Sequence, residues 1–123
     1  MPSFGAECIA VVGKFYDTFG GEKSVRKKII VRNARLTDIP NAVRVEQAAW
    51  APPWPQEYVF TADHLRSQIN TFPQGQFCVE VDGEFAGFVT SMLMDYEISN
   101  PKPMTWDEIT GNGFISTHNP KGN

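Results

Sequence analysis

The hydrophobic pattern changes from that of a strand to that of a helix between residues 29 and 50. Residues 29–31 are Ile-Ile-Val, three β-branched residues that favour extended backbone, so we predict a strand over 29–35. Thr37 is a suitable N-cap for a helix that follows, and Asp38 and Pro40 suit its first turn. The next apolar residues lie near one helical face and predict an amphipathic helix up to Trp50: Ile39, Ala42, Val43, Ala49 and Trp50.

An acidic residue interrupts the apolar face of this predicted helix. Glu46 follows Ile39 by seven residues and precedes Trp50 by four, so we expect its side chain to point towards the core or a cleft. A charge in such a place is costly unless a partner binds it. Two interpretations are open: the carboxylate pairs with an arginine or accepts hydrogen bonds from loop amides, or it contacts an amine substrate. We favour the first, because structural pairs also perturb carboxylates.

A stiff aromatic loop is predicted after this helix. Residues 50–55 read Trp-Ala-Pro-Pro-Trp-Pro, and a helix cannot continue through three prolines. Trp50, Trp54 and Tyr58, with Phe60 beyond them, form either a lid over the core or one wall of an acceptor-binding cleft. The two interpretations are compatible, so Trp50, Trp54 and Tyr58 join Glu46 as candidate substrate-binding residues.

A second helix and a hairpin are predicted next. Thr61 can cap a helix over 62–70, whose buried stripe is Leu65, Ile69 and Phe72, and His64 is expected on its exposed side. Apolar and polar residues then alternate from residue 77 to 81. Asp82-Gly83 predicts a type I′ turn, which needs positive φ at both central residues. The return strand is expected to run to about Met94, with a bulge or a close backbone approach at Gly87.

The two ends of the chain carry weaker patterns. Residues 9–12 could form a short strand, within an N-terminal extension that we place at 1–28. Thr105 can cap a short helical turn over 105–109, and residues 111–113 (Gly-Asn-Gly) indicate a turn.

The bulk composition is that of an ordinary single globular domain. The chain has 123 residues, of which 41% are hydrophobic and 20% charged. Its longest apolar run, residues 8–12, is too short for a membrane span or a signal peptide, so we expect a cytoplasmic protein. Two cysteines seventy residues apart predict no disulfide framework, and His64 and His118 show no metal-ligand spacing.

Charge is distributed unevenly along the chain. Residues 1–35 contain seven Lys or Arg against three Asp or Glu, whereas residues 36–123 contain four against eleven. The basic part could attract phosphates or RNA. Because no aromatic stacking pattern accompanies it, we favour a solvated tail and strand edge and do not expect nucleic acid as a partner.

The order of these elements resembles the opening half of a GNAT-type acyl-CoA N-acyltransferase, over residues 29–123. The motifs that carry the resemblance are Arg32 and Ala34 followed by Asp38, the segments Val45-Glu46-Gln47 with Trp50 and Pro53-Trp54, and the Asp82-Gly83 hairpin with Gly87. The middle segments are similar to ribosomal-protein alanine acetyltransferases. The resemblance implies an α+β fold of a strand, two helices and an antiparallel meander. It also implies acetyl-CoA as cosubstrate and an amine acceptor, either a small molecule or a protein N-terminus.

The same resemblance leads us to expect an incomplete domain. In the family a fourth strand and a glycine-rich turn at a helix N-terminus hold the acyl thioester and the pyrophosphate, where glycine lets the backbone approach the anion. The 123 residues contain no such basic and glycine-rich turn, so we expect no cofactor-binding residue and no secure catalytic group. We therefore predict a truncated domain with an open edge on its third strand, completed by a second copy or a complementing chain. The alternative is a non-catalytic GNAT-like module that binds a partner through that edge.

Overall fold

The computed structural model describes residues 11–12 and 27–122. These residues form one antiparallel sheet, with helices packed against one of its faces, which confirms the predicted α+β class. Short 3-10 turns occupy Leu36–Asp38, Gln56–Tyr58 and Pro73–Gly75. In chain order the strands and helices are β1 (Val11–Val12), β2 (Ile29–Asn33), α1 (Ile39–Ala49), α2 (Ala62–Thr71), β3 (Phe77–Val81), β4 (Glu84–Thr90) and α3 (Trp106–Thr110).

The hairpin of β3 and β4 forms the centre of the sheet, whose strand order is β1-β4-β3-β2. Asp82 and Gly83 have φ angles of 50° and 82°, so the predicted two-residue turn with positive φ at both positions is confirmed. Val79 lies opposite Gly87, whereas Glu80 lies opposite Phe85. One additional residue of β4 therefore fits between these pairs, and the bulge predicted at Gly87 is present.

The return strand is shorter than predicted, because β4 ends at Thr90 and does not reach Met94. The backbone amide of Ser91 donates to Gln76 Oε1 (3.2 Å), and the Ser91 hydroxyl donates to the carbonyl of Gly75 (2.6 Å). Two residues later, the carbonyl of Leu93 accepts the amide of Asn119. Side chains and a later segment thus take the hydrogen bonds that a longer strand would have used.

The edge of β4 is not fully open, which corrects the prediction of a free third strand. Val11 pairs with Thr90 and Val12 with Val89, so β1 covers the carboxyl end of β4. A strand over 9–12 is thereby confirmed for residues 11–12. Residues 9–10, and the extension predicted over 1–28 apart from residues 11–12 and 27–28, lie outside the described residues.

Helix α1 begins differently from the prediction. Residues 36–38 form a 3-10 turn, Thr37 is exposed, and it is Asp38 that organises this entry into the helix. Its carboxylate accepts the backbone amide of Arg35 (2.8 Å) and two hydrogen bonds from the Arg32 guanidinium (both 2.7 Å). The prediction of Thr37 as N-cap was wrong, because a carboxylate paired with an arginine on the first long strand replaces it. Pro40 lies in the first turn, as expected.

The core lies between α1, α2 and the face of the sheet that they cover. Val45 and Cys78 are fully buried, and the predicted stripe of α1 extends through Val45. Thr61 caps α2, as predicted, since the Thr61 hydroxyl accepts the backbone amide of His64. None of the helices in the described residues is long and apolar enough to cross a membrane. The buried core residues are Ile39, Ala42, Val45, Phe60, Leu65, Cys78 and Phe88.

Candidate functional site

Glu46 lies inside the protein at the end of α1, with 1% of its surface exposed. Its Oε1 atom accepts a hydrogen bond from the backbone amide of Phe60 (3.1 Å), in the segment that leads from the aromatic loop to α2. The expectation that Glu46 points inward is confirmed. The structural interpretation is confirmed for the loop amide, and no arginine of residues 27–122 forms an ion pair with this carboxylate.

The second oxygen of Glu46 is an unusual group for a protein interior. Oε2 is buried and has no hydrogen-bond partner in the described part of the chain. Burial raises the pKa of Glu46 to about 7, while the Phe60 amide and the Trp50 side chain act in the opposite direction. A carboxyl group with such a pKa exists in both protonation states near neutral pH, which suits a group that exchanges protons.

The aromatic loop starts directly at this carboxylate. The amide of Trp50 donates to the carbonyl of Glu46 (3.0 Å) and ends the helix, and the Trp50 and Trp54 rings lie 4.8 Å apart between centroids. The Gln56 side chain fixes the loop by donating to the carbonyls of Trp50 (3.1 Å) and Trp54 (2.8 Å). The peptide bond between Pro52 and Pro53 is cis. Trp54 keeps 45% of its surface exposed, so its ring is available to a ligand.

Tyr58 extends the aromatic surface on the other side of Phe60. Its ring, 41% exposed, meets Trp106 edge-on at 6.0 Å, and Trp106 stacks on Phe60 at 5.9 Å. Trp106 is the first residue of α3, whose capping by Thr105 is confirmed. The sequence indicated the cap but did not indicate that Trp106 contacts Tyr58 and Phe60, because these residues are far apart in the chain.

The prediction that His64 lies on the exposed side of α2 was wrong. Its ring is half-buried between Phe60 (5.8 Å) and Phe114 (4.2 Å), and Nδ1 accepts the backbone amide of Thr61 (3.0 Å). Burial lowers the pKa of His64 and so favours the neutral ring. The sequence signal for this position is Thr61, three residues before His64. A side-chain acceptor at the third helical residue can accept the backbone amide of the N-cap residue.

A buried polar network joins α2, β4 and the turn at residues 111–113. Gln68, 1% exposed, donates to the carbonyl of Gly113 (2.7 Å) and accepts the hydroxyl of Thr90 (2.9 Å). Gly113 has φ of 87°, and a Cβ atom there would lie 2.9 Å from the Phe60 ring. A Cβ on Gly111 would lie 2.4 Å from Ser116 Oγ. These glycines therefore pack against the protein itself, so this turn does not fit the pyrophosphate of acetyl-CoA.

Cys78 is a core residue and not a nucleophile. It is completely buried, and burial raises the pKa of its thiol to about 12. The charged side chains near Cys78 form ion pairs with one another, because Arg32 binds both Asp38 (2.7 Å) and Glu80 (3.3 Å). The described residues thus provide no activated thiol.

The structure brings three of the four predicted site residues into one group. Glu46, Trp50 and Trp54 are contiguous, whereas Tyr58 lies on the Trp106 side of the Phe60 segment. We refer to these two ring pairs, Trp50 with Trp54 and Tyr58 with Trp106, together as the aromatic wall. Its outer rings are solvent-accessible, and the carboxylate of Glu46 lies behind Trp50 and the amide of Phe60.

Comparisons with known proteins identify relatives but no matching template. No family model and no solved structure matches the chain. The chain is 36% identical over 95 residues to the uncharacterized N-acetyltransferase YkwB of Bacillus subtilis. The aligned region covers 77% of this chain and 42% of that protein. It is 35% identical over 98 residues to the probable hydrolase YhcX of the same organism, covering 78% of this chain and 18% of that protein.

A third relative comes from an archaeon. The N-alpha-acetyltransferase of Sulfurisphaera tokodaii is 32% identical over 78 residues, covering 63% of this chain and 42% of that protein. The chain therefore spans less than half the length of the relatives that it matches. Two of the three relatives are named N-acetyltransferases, and this similarity points to the GNAT superfamily.

Proposed function

We propose that this chain functions in the transfer of an acetyl group from acetyl-CoA to an amine, with the aromatic wall on the acceptor side. The observation that carries the proposal is the similarity to two proteins named N-acetyltransferases, over 77% and 63% of this chain. The name of the archaeal relative supports a peptide N-terminus as the first acceptor to test. The probable hydrolase is matched over only 18% of its own length, so its name gives little guide to the function of this segment.

The roles that we propose follow from exposure. Trp54 and Tyr58 are the exposed rings of the wall and would pack against the apolar part of the acceptor. Trp50, half-buried between Trp54 and Glu46, would orient the acceptor towards the carboxylate. Glu46 would contact the acceptor amine through Oε2, the oxygen without a partner in the described residues. Because Oε2 is shielded from solvent, the amine would reach it only when the Trp50 indole moves aside.

The chemistry needs an amine without its proton. A free amine attacks the thioester carbonyl of acetyl-CoA, the C–N bond forms, the C–S bond breaks, and CoA leaves as the thiol. An acceptor ammonium must first lose a proton, and a carboxylate with a pKa of about 7 is matched to that transfer near neutral pH. The glycine turn of residues 111–113 does not fit the pyrophosphate, so we assign to the described residues only the acceptor side of the reaction.

The test is turnover by the purified 123-residue chain, with circular dichroism to show that it is folded. We expect saturable acetyl-CoA binding in calorimetry and amine-dependent release of CoA, followed by a thiol reagent, with short peptides as acceptors. Glu46→Gln should lower kcat at least tenfold and abolish the dependence of kcat on pH near 7. Trp54→Ala should mainly raise the KM for the acceptor. A folded chain that neither binds acetyl-CoA nor releases CoA with any amine would refute the proposal.

The non-catalytic alternative, a module that only binds a partner through its sheet edge, gains no support from the names of the relatives. Completion of the cofactor side by a second copy remains part of our proposal, whereas completion by a complementing chain is the alternative that a folded but inactive chain would favour. Calorimetry at two protein concentrations tests it, since a site shared between copies would bind acetyl-CoA more tightly at the higher concentration.

A further inference from the structure

We propose that the outer edge of β2 binds an extended acidic polypeptide segment as an additional antiparallel strand. The inference is independent of the acetyl-transfer proposal, because this edge lies on the far side of the sheet from β1 and does not include the aromatic wall. It rests on three observations: the direction of the β2 backbone groups, the exposure of its side chains, and the charges at its ends.

The backbone groups of alternate β2 residues point away from the sheet. The carbonyl of Lys28 accepts the amide of Asp82 (2.9 Å), and the amide of Ala34 donates to the carbonyl of Gln76 (2.8 Å), so both of these residues face β3. In an antiparallel pair, successive residues direct their N–H and C=O groups to opposite sides. Ile29 and Val31 therefore direct theirs outward, where no described residue pairs with them.

The side chains of the same two residues are apolar and open to solvent. Ile29 is 66% exposed and Val31 64% exposed, although β-branched side chains in a sheet usually pack against neighbours. An incoming strand would bond to the backbone of both residues and cover both side chains with alternate apolar side chains of its own. Backbone bonds give affinity in this mode of recognition, and alternate side chains give specificity.

The charges around the edge select an acidic partner. Residues 27–35 contain four basic residues and no acidic one. Arg32 is neutralised by Asp38 and Glu80, whereas Lys28 and Arg35 are exposed at the two ends of the strand. The Asp82 carboxylate accepts the Lys28 amide and lies on the β3 side of the strand. A segment with acidic residues at both ends therefore complements the edge, whereas a second copy would bring like charges together.

The test uses two synthetic heptapeptides with valine and threonine alternating in the centre, one with glutamate at both ends and one with lysine. We expect the glutamate-flanked peptide to bind the 123-residue chain saturably in calorimetry, at least tenfold more tightly than the lysine-flanked one. Increasing salt should weaken this binding, because the flanking charges are exposed.

Variants separate the backbone contribution from the charges. Val31→Pro removes an outward N–H group and is compatible with an edge strand, so it should weaken binding at least tenfold while the circular dichroism spectrum is unchanged. The matched control Val31→Thr keeps the amide and should bind within threefold of the parent chain. The double change Lys28→Glu with Arg35→Glu should reverse the preference between the two peptides.

Three outcomes would overturn the inference. They are no saturable binding of either peptide, equal binding of both peptides, and binding that Val31→Pro leaves unchanged. Sedimentation of the chain alone gives a further check. A dimer that Val31→Pro dissociates would show that a second copy occupies the edge, and the proposed acidic segment would be wrong.

Discussion

The backbone amide of Phe60 donates a hydrogen bond to Oε1 of Glu46 over 3.1 Å, and this bond ties the end of α1 to the segment that carries Tyr58. The other oxygen of the same carboxylate has no partner among the described residues. The bond to Oε1 therefore stabilises the fold, whereas Oε2 accepts no hydrogen bond from a described residue. Because an ionised carboxylate is costly in a buried place, the protonation state of Glu46 links stability to pH.

We predict that the free energy of unfolding contributed by Glu46 falls as pH rises from about 4.5 to about 7. The pKa is about 7 in the folded protein and 4.5 in the unfolded chain, so the folded state binds the proton more tightly. The full difference corresponds to roughly 3 kcal/mol. Urea unfolding at pH 5 and pH 8 measures it. Glu46→Gln should remove this decline, and an unchanged decline in that variant would contradict the assignment.

Trp50→Phe should raise the pKa of Glu46 further. The Trp50 side chain favours the ionised form of the carboxylate, and phenylalanine keeps an aromatic ring but has no N–H group. Titration of the Glu46 carboxyl carbon by NMR, in the parent chain and in the variant, gives the result directly. Trp54→Phe is the matched control, because that ring contacts Trp50 and not the carboxylate, and it should leave the pKa unchanged.

Asp38 imposes the opposite pH dependence at acid pH. The Arg32 guanidinium lowers the pKa of Asp38 from 3.8 to about 2, so its stabilising contribution is present above pH 4 and is lost as pH falls to 2. The shift corresponds to roughly 2 kcal/mol. Asp38→Asn should lose at least that much at pH 7, since Arg32 would keep only its ion pair with Glu80 and its hydrogen bond to the carbonyl of Asn33. Acid unfolding of the two proteins can be followed by circular dichroism. The stability of the Asp38→Asn variant should no longer fall between pH 4 and pH 2 because of this group.

His64 should make stability fall as pH falls below 6.5. Its pKa is lowered in the folded protein, so the unfolded chain takes up a proton first. His64→Phe keeps a ring beside Phe114 but leaves the Thr61 amide without its acceptor, at a cost of about 1 kcal/mol. His64→Asn can restore the acceptor without the ring. Neither variant should show the decline below pH 6.5, and a decline that persists in both would assign it to another group.

Gly113→Ala should destabilise the protein by roughly 1–3 kcal/mol, because it combines a positive φ with a new methyl group close to Phe60 and Trp106. Thermal unfolding of the variant measures the loss. Gly83→Ala is the matched control, since Gly83 also has positive φ but no atom lies within 4 Å of its added Cβ. The difference between the two variants isolates the effect of packing on the aromatic cluster.

The elements that sequence reasoning predicted well are those with short-range causes. The turn at Asp82-Gly83 follows from two residues that tolerate positive φ, and the caps at Thr61 and Thr105 follow from local hydroxyl acceptors. The inward position of Glu46 follows from helical spacing alone. For these features, the interaction that determines the structure lies within a few residues of the sequence pattern that predicts it.

The features that were mispredicted depend on partners elsewhere in the chain. Thr37 lost the capping role to Asp38 because Arg32 is placed on the neighbouring strand, and β4 ends early because Gln76 and Asn119 take its hydrogen bonds. Likewise, no residue close to Tyr58 in the sequence predicts its contact with Trp106. A single sequence specifies such contacts only through the complete fold.

The contact between Tyr58 and Trp106 has a thermodynamic consequence. The wall exists only after the segment around α3 has docked, and that docking uses the hydrogen bond from Gln68 to Gly113 across 45 residues of chain. The wall is therefore complete only in a conformation in which the α3 segment is docked. Any acceptor that binds the wall must raise the melting temperature of the whole domain, by an amount set by its concentration relative to its dissociation constant. A thermal-shift screen of amines therefore tests the proposed acceptor class independently of turnover.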